Sequence, residues 1–175
     1  EPAKAGAASQ PSSAAEPKTG ESEPPVREHS APGEALAIGA KAPKVEREME
    51  GVDGAAASVR SAAGEKGVLV IFTCNHCPWV KAWQERTVAL GNAFAEQGVG
   101  VIAINSNDPE ANAVDGIEGM KERASALDMK YPYVVDEDSV MARAYGATKT
   151  PEFFLFDADL KLVYHGAIDD NAQKP

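Results

Sequence analysis

The residues best suited to chemistry are the two cysteines of the chain, Cys74 and Cys77, with His76 between them. A Cys-x-x-Cys spacing brings two sulfur atoms within one helical turn. One thiolate can then attack a disulfide while the other resolves the mixed disulfide that forms. An imidazolium at His76 would favour the thiolate of Cys74. The pattern predicts thiol–disulfide exchange, with Cys74 as the nucleophile and Cys77 as the resolving thiol.

Three other functions of the cysteine pair are less favoured than disulfide exchange. A structural disulfide would close a tiny loop worth no more than about 2 kcal/mol, and a chain of 175 residues has enough material for a core without it. A metal site for copper would need Cys74, Cys77, His76 and the distant His165, but adjacent His76 and Cys77 cannot easily both point inward. Covalent haem attachment is excluded because Pro78 follows Cys77. The exchange reaction itself needs no cofactor beyond the redox-active disulfide.

The charge of the chain restricts its partners. The formal net charge is −10, which argues against general affinity for nucleic acid or anionic membranes. The longest apolar run, residues 68–72, is far short of the roughly 20 residues that cross a bilayer, so this chain contains no transmembrane segment. The expected partners are protein thiols and disulfides and a redox partner protein.

The first 34 residues differ in composition from the rest. They include six Pro, seven Ala, five Ser and three Gly, a mixture that cannot bury enough apolar surface to fold. We expect a disordered tail or linker at residues 1–34 and a folded domain at residues 35–175. Residue 1 is Glu, and a removed export signal or lipid anchor is the favoured interpretation. That predicts a periplasmic or otherwise exported domain, with a membrane tether as one form; a fragment of a cytoplasmic protein is the alternative.

The elements around the cysteines follow from local patterns. Residues 68–73 are a continuous apolar and β-branched run that predicts a buried strand. A helical stripe follows Cys77 and ends near Gly98, and residues 99–104 predict a second strand, parallel to the first. The cysteines then lie where the first strand meets its helix. Cys74 is expected at the helix N-terminus, where the macrodipole stabilises a thiolate.

The remaining elements complete an α/β fold. The pattern predicts a helix over 117–129, a short strand over 133–135 and a helix that begins after Ser139. Residues 153–156 and 160–165 predict an antiparallel hairpin. The expected architecture is a mixed central sheet flanked by helices.

Several segments together resemble the peroxiredoxin-like branch of the thioredoxin superfamily, often labelled redoxin. The resemblance spans about residues 36–171 and is carried by "IGAKAP", "FTCNHCPWVKAW", "VIAINSND", "YPYVVDED", "YGATKTPEFFLFD" and "YHGAIDDN". It implies a thioredoxin-like fold, for which a final helix would still be missing from this chain. It also implies that Pro151, after Thr150, is a cis-proline that faces the cysteine pair.

The chain departs from the family pattern at two points, which bear on its function and on the residue that accepts a proton. Peroxidases of the neighbouring peroxiredoxin group use Pro-x-x-x-Thr-x-x-Cys, whereas here Thr73 lies four residues before Cys77 and no proline stands in place. A thiol-dependent peroxidase is therefore an alternative function, as is a copper-binding assembly factor. Thioredoxins also keep a buried acid on the strand before the cysteines, which this chain lacks. Glu152 is the candidate proton acceptor and Lys81 a weaker one.

Three residues are predicted to contact substrate. Trp79 is expected to be an exposed apolar contact beside the cysteines, whereas Trp83, one helical turn later, is expected in the core. Asn105 begins a polar loop at the carboxyl end of the second parallel strand, an edge where ligands gather; a simple hydrophilic turn is the alternative. Glu152 lies next to Pro151.

Overall fold

The computed structural model describes residues 34–171. The predicted tail lies outside these residues except for Glu34, so both its disorder and the proposed domain boundary stay predictions. Within residues 34–171, none of the helices is long and apolar enough to span a membrane.

The centre of the fold is a five-stranded mixed sheet, preceded by a short antiparallel pair. The pair is β1 (Met49–Glu50) and β2 (Ala56–Ala57). The sheet consists of β3 (Gly67–Thr73), β4 (Gly100–Asn105), β5 (Tyr133–Val135), β6 (Glu152–Asp157) and β7 (Leu162–Gly166). Its spatial order is β5-β4-β3-β6-β7. Strand β3 pairs parallel to β4, as the sequence predicted, and antiparallel to β6.

Helices cover both faces of this sheet. They are α1 (Val59–Ala62), α2 (Pro78–Glu96), α3 (Ile117–Ala126) and α4 (Val140–Tyr145), with 3-10 helices at Ala113–Asp115 and Glu137–Ser139. Side chains alternate along β3. Val70 packs with Tyr145 of α4 on one face, and Ile71 packs with Met120 of α3 on the other. The sheet is buried on both faces, which explains the continuous apolar run in β3.

The position of Cys74 relative to α2 differs from the prediction. The helix begins at Pro78, and Cys77 is its N-cap residue with φ −60° and ψ 126°. The prediction that Cys74 lies at the helix N-terminus is therefore wrong. Proline favours the first helical position, and it disfavours helical geometry in the residue before it. These two preferences place the helix start after Cys77.

Helix α4 begins after Ser139 as predicted, but the side chain of Ser139, the expected N-cap, does not cap it. Ser139 has φ +52° and makes no capping bond; its hydroxyl donates to the Ser106 carbonyl at 2.9 Å instead. The Asp136 carboxylate caps the helix by accepting the backbone N–H groups of Met141 and Ala142. The cap thus comes from a residue three positions earlier than expected.

Candidate functional site

The two sulfur atoms have different environments. Cys74 is fully buried and Cys77 is partly exposed, and both are free thiols. The Cys77 thiol donates to the Thr150 carbonyl at 3.4 Å, and Cys74 Sγ lies 3.2 Å from Thr150 Oγ1. The peptide bond between Thr150 and Pro151 is cis, as the resemblance implied. One residue, Thr150, therefore contacts both sulfurs.

Electrostatics separate the two thiols further. Burial raises the pKa of Cys74, and hydrogen bonds from the Thr150 hydroxyl and the Cys77 backbone N–H only partly offset this. Cys74 is therefore protonated at neutral pH. Cys77 stands at the N-terminus of α2, a helix of 19 residues, whose dipole favours negative charge at that end. The accessible sulfur at the helix start is that of Cys77.

Asp115 is a buried acid beside the loop of residues 74–77, here called the cysteine loop. The sequence analysis did not identify this residue. Its carboxylate accepts the backbone N–H of Asn75 at 2.5 Å, His76 Nδ1 at 2.5 Å and the Asn107 amide at 3.2 Å. Burial alone would raise the pKa of Asp115, but these hydrogen bonds outweigh it and lower the pKa. Asp115 is therefore ionised and holds the His76 imidazole in place.

Asn75, between Cys74 and His76, fixes the cysteine loop through further hydrogen bonds. Its side chain donates to the Val114 carbonyl at 2.7 Å and accepts the Tyr133 hydroxyl at 3.0 Å. Its carbonyl accepts the Arg123 guanidinium at 2.7 Å. Every polar group of this buried residue is bonded within the protein, so Asn75 is structural and helps to fix the loop.

Three side chains at the cysteine loop could together bind a cation. Potential ligand atoms of Cys74, His76 and Asp115 lie within 4.8 Å of one another. The Asp115 oxygens already accept three hydrogen bonds, so a metal would have to displace at least the bond to His76. The copper ligand set predicted from the sequence is not assembled, because His165 pairs with Glu152 at 2.7 Å and stacks on Phe154.

Glu152 is buried, with 2% of its surface exposed, and this corrects its predicted contact with substrate. One carboxylate oxygen accepts the backbone N–H groups of Thr148 and Lys149, and the other pairs with His165. Glu152 therefore holds the loop before the cis-proline. With its oxygens occupied in this way, it is also a poor proton acceptor for the cysteines.

Asn105 is buried as well, which corrects the second predicted substrate contact. Its amide donates to the Asp115 carbonyl at 3.0 Å, and its side-chain oxygen accepts the Asn107 backbone N–H. Trp79 is 59% exposed at the start of α2, as predicted, and its ring lies 5.9 Å from that of Trp83. Of the three predicted substrate contacts, the structure leaves Trp79 exposed to solvent.

A cleft of about 400 Å³ opens beside Cys77. The cysteine loop, the polar loop after β4, helix α4 and the loop before the cis-proline form its walls. Cys77, His76, Thr150, Arg143 and Lys149 are among its lining residues. The partly exposed sulfur therefore faces a pocket of a size suited to small ligands.

Comparison with known proteins assigns the family. A family model described as the AhpC/TSA family matches residues 38–165. The chain belongs to the AhpC/TSA family. This match covers the cysteine loop, the cis-proline and all five strands of the sheet up to His165.

Individual relatives agree with this assignment. The chain is 26% identical over 115 residues to "Thiol-disulfide oxidoreductase ResA" of Halalkalibacterium halodurans, covering 66% of this chain and 61% of that protein. An uncharacterised conserved protein of Geobacillus kaustophilus has a similar structure, with 40% identity, a TM-score of 0.74 and coverage of 77% and 71%. The thioredoxin domain of a Bacteroides vulgatus thiol-disulfide oxidoreductase, at 22% identity, a TM-score of 0.62 and coverage of 79% and 94%, shares the fold. The thioredoxin-like fold predicted from the sequence is confirmed.

The sequence analysis missed three charged residues at or near the cysteine site. Asp115 bonds to the residues between the cysteines, Asp136 caps α4, and Arg143 of α4 lines the cleft. The available signal was weak: Asp115 lies in the polar segment after the second strand, where ligand-binding loops of such sheets gather. Asp136 and Arg143 carry no local pattern that separates them from ordinary surface charges.

Proposed function

We propose that this protein is a thiol–disulfide oxidoreductase in which Cys77, not Cys74, is the attacking sulfur. The observation that carries the proposal is the placement of the two thiols. Cys77 is partly exposed at the N-cap of α2 and faces the cleft, whereas Cys74 is buried behind it. Both contact Thr150. The name of the Halalkalibacterium relative supports the same reaction class.

The reaction transfers two electrons from the dithiol to a disulfide. The Cys77 thiolate attacks one substrate sulfur, the substrate S–S bond breaks, and the departing thiolate takes up a proton. Cys74 then loses its proton and attacks Cys77 Sγ, which releases the second substrate thiol and forms the Cys74–Cys77 disulfide. The reverse sequence would oxidise a dithiol substrate.

The second step needs a base, because Cys74 is a buried thiol with a raised pKa. We assign this proton to the His76 imidazole, which Asp115 holds, because possible ligand atoms of the three side chains lie within 4.8 Å of one another, a separation that one water molecule can bridge. This pair takes the role that the sequence analysis assigned to Glu152 or Lys81. Lys81 is exposed on the first turn of α2.

Two cysteine variants test the assignment. Reduced protein is supplied with dithiothreitol, and reduction of insulin disulfides is followed by turbidity. Cys77→Ser should abolish activity, whereas Cys74→Ser should still attack once and accumulate a mixed disulfide that mass spectrometry detects. If Cys74→Ser forms no adduct and Cys77→Ser does, the order of the two sulfurs is the reverse of our proposal. If wild type reduces no disulfide, the proposed activity is wrong.

A thiol-dependent peroxidase is the second candidate, because the AhpC/TSA family model covers the cysteine pair. Against it, the position three residues before Cys77, where the peroxidase pattern has threonine, is Cys74. Turnover of hydrogen peroxide with dithiothreitol, in the same preparation that is assayed with insulin, separates the two. Peroxide turnover without disulfide reduction would make the peroxidase the function. A copper-binding factor is not favoured, since His165 is bonded to Glu152.

The proposed reaction implies a redox partner, and the composition of residues 1–34 bears on the location of the protein. A protein thiol or disulfide that exchanges with the Cys74–Cys77 pair must return it to its working redox state. The Pro-, Ala- and Ser-rich composition of residues 1–34 supports a tethered, exported domain. Fractionation of cells that express the natural full-length protein, followed by immunodetection, tests this; recovery in the cytoplasmic fraction would contradict it.

A further inference from the structure

Positive charge is concentrated in the cleft beside Cys77, although the chain carries a net charge of −10. Arg143 and Lys149 line the cleft, and His76 adds a third group that can be protonated. Within residues 34–171, the lining contains no Asp or Glu. A cationic wall on an acidic protein indicates an anionic ligand.

The two permanently charged residues of the lining, Arg143 and Lys149, are available to bind an anionic ligand. In the described part of the chain, neither Arg143 nor Lys149 forms a salt bridge, whereas Arg60 pairs with Glu46 and Lys121 with Glu118. Arg143 is partly buried in the last turn of α4. A guanidinium without a carboxylate partner among the described residues can bind a ligand carboxylate through two parallel hydrogen bonds.

Three buried carboxylates outside the lining hold the segments that form the cleft walls. Asp115, Asp136 and Glu152 each accept hydrogen bonds from three protein donors. Asp115 holds the cysteine loop, Asp136 holds the start of α4, and Glu152 holds the loop before the cis-proline. Their oxygens are occupied by the backbone and side chains that shape the cleft. The walls are therefore preorganised and present cations and hydroxyl groups to a ligand.

We propose that this cleft binds a low-molecular-weight disulfide that carries a carboxylate, with Arg143 and Lys149 binding the carboxylate while Cys77 attacks the nearer sulfur. The inference rests on the proposed function and names its substrate class. The volume of about 400 Å³ is in the range of small-molecule sites. The electrons come from the Cys74–Cys77 dithiol itself, which becomes the disulfide as the substrate is released as two thiols.

The test compares two disulfides of similar size in single turnovers of the pre-reduced protein. One is 3,3′-dithiodipropionate, which carries a carboxylate at each end, and the other is the neutral bis(2-hydroxyethyl) disulfide. Acid quenching and mass spectrometry give the rate constant for loss of the free thiols. The ratio of the two rate constants is compared between variants, which cancels the intrinsic reactivity of each disulfide.

Arg143→Gln should slow the reaction with dithiodipropionate about tenfold, because it removes a charge-assisted hydrogen bond, and should change the neutral reaction less than about twofold. Arg143→Lys should retain part of the preference. Lys66→Gln is the matched control, since it removes the same charge from an exposed residue next to Gly67, where β3 starts at the opposite end of the sheet. Raising the salt from about 20 to about 200 mM should slow the dicarboxylate reaction selectively.

The possible outcomes distinguish the cleft proposal, a protein substrate and failure of the proposed function. An unchanged ratio in Arg143→Gln, or an equal change in Lys66→Gln, would overturn the cleft proposal while leaving the oxidoreductase activity in place. Faster reaction with insulin than with either small disulfide, and no effect of Arg143→Gln on the ratio, would indicate a protein substrate instead. If neither small disulfide nor insulin oxidises the dithiol, the proposed function is wrong and the cleft proposal fails with it. Thermal unfolding of each variant shows whether it is folded.

Discussion

The Asp115 carboxylate accepts the backbone N–H of Asn75 at 2.5 Å, although the two residues are 40 positions apart. This bond joins the cysteine loop to the 3-10 helix that follows β4. The same carboxylate holds His76, so one buried charge fixes both the backbone and the imidazole of the cysteine loop. Several testable properties of the protein depend on it.

Asp115→Asn should lower the free energy of unfolding by about 1–3 kcal/mol at pH 7, because a buried ionised acceptor is lost. The pKa of Asp115 is lowered from its usual value of 3.8 in the folded protein. Its contribution is therefore fully present above the unfolded pKa and is lost as the pH falls through the folded pKa. Urea unfolding at neutral and acidic pH measures this. The difference between wild type and variant should shrink in acid.

Asp170→Asn is the control for that experiment, since Asp170 is exposed. It should leave the unfolding free energy within about 0.5 kcal/mol at both pH values. A constant difference between wild type and Asp115→Asn at every pH would show that the charge of Asp115 is not what stabilises the fold.

Asn75→Ala should destabilise the protein by about 2–4 kcal/mol, because it leaves the buried Tyr133 hydroxyl and Val114 carbonyl without their partner. Asn112→Ala removes an exposed amide that makes no capping bond and should have little effect. Chemical denaturation of both variants measures the difference. Equal stability of the two would contradict the structural role of Asn75.

Alkylation should distinguish the two cysteines. Iodoacetamide at pH 7 should modify Cys77 first, since it is partly exposed, while Cys74 is shielded. The raised pKa of Cys74 means that its reaction should reach its maximal rate at a higher pH than that of an ordinary cysteine. Peptide mapping by mass spectrometry across a pH series reads both sites, and the two should react equally in urea-unfolded protein. Faster labelling of Cys74 in the folded protein would reverse the roles we assign.

His76→Gln should slow the second step of disulfide exchange and spare the first. General base catalysis contributes about a hundredfold or more, so the mixed disulfide at Cys77 should persist roughly that much longer. Stopped-flow mixing with a chromogenic aromatic disulfide separates the two steps. A merely structural histidine would slow neither step selectively, and equal slowing of both would contradict the role of His76 as proton acceptor.

Local patterns were enough to predict much of the architecture. The apolar runs at β3 and β4, the helical stripe between them and the β6–β7 hairpin each lie where periodicity and turn residues placed them. The cis-proline followed from resemblance rather than from any local rule. The position of Cys74 relative to α2 and the cap of α4 differed from the prediction, because Pro78 fixes the start of α2 and Asp136 rather than Ser139 caps α4.

The site was less predictable, because its geometry depends on contacts between distant segments. Glu152 and Asn105 are polar residues at strand ends, yet both are buried, and groups from other segments satisfy their side chains. Arg143 gained a site role only because α4 packs beside the cysteine loop. A single sequence contains no signal for such pairings.

The amino-acid sequence by itself determined the strand, helix and strand around a Cys-x-x-Cys pair, since hydrophobic periodicity and cysteine spacing are local properties of the chain. Tertiary structure alone decided which sulfur is accessible. Asp115 and Arg123 anchor Asn75, and this buries Cys74 while Cys77 takes the start of the helix. Burial and electrostatic environment arise from groups that meet only after folding, so the chemical role of each thiol was set there.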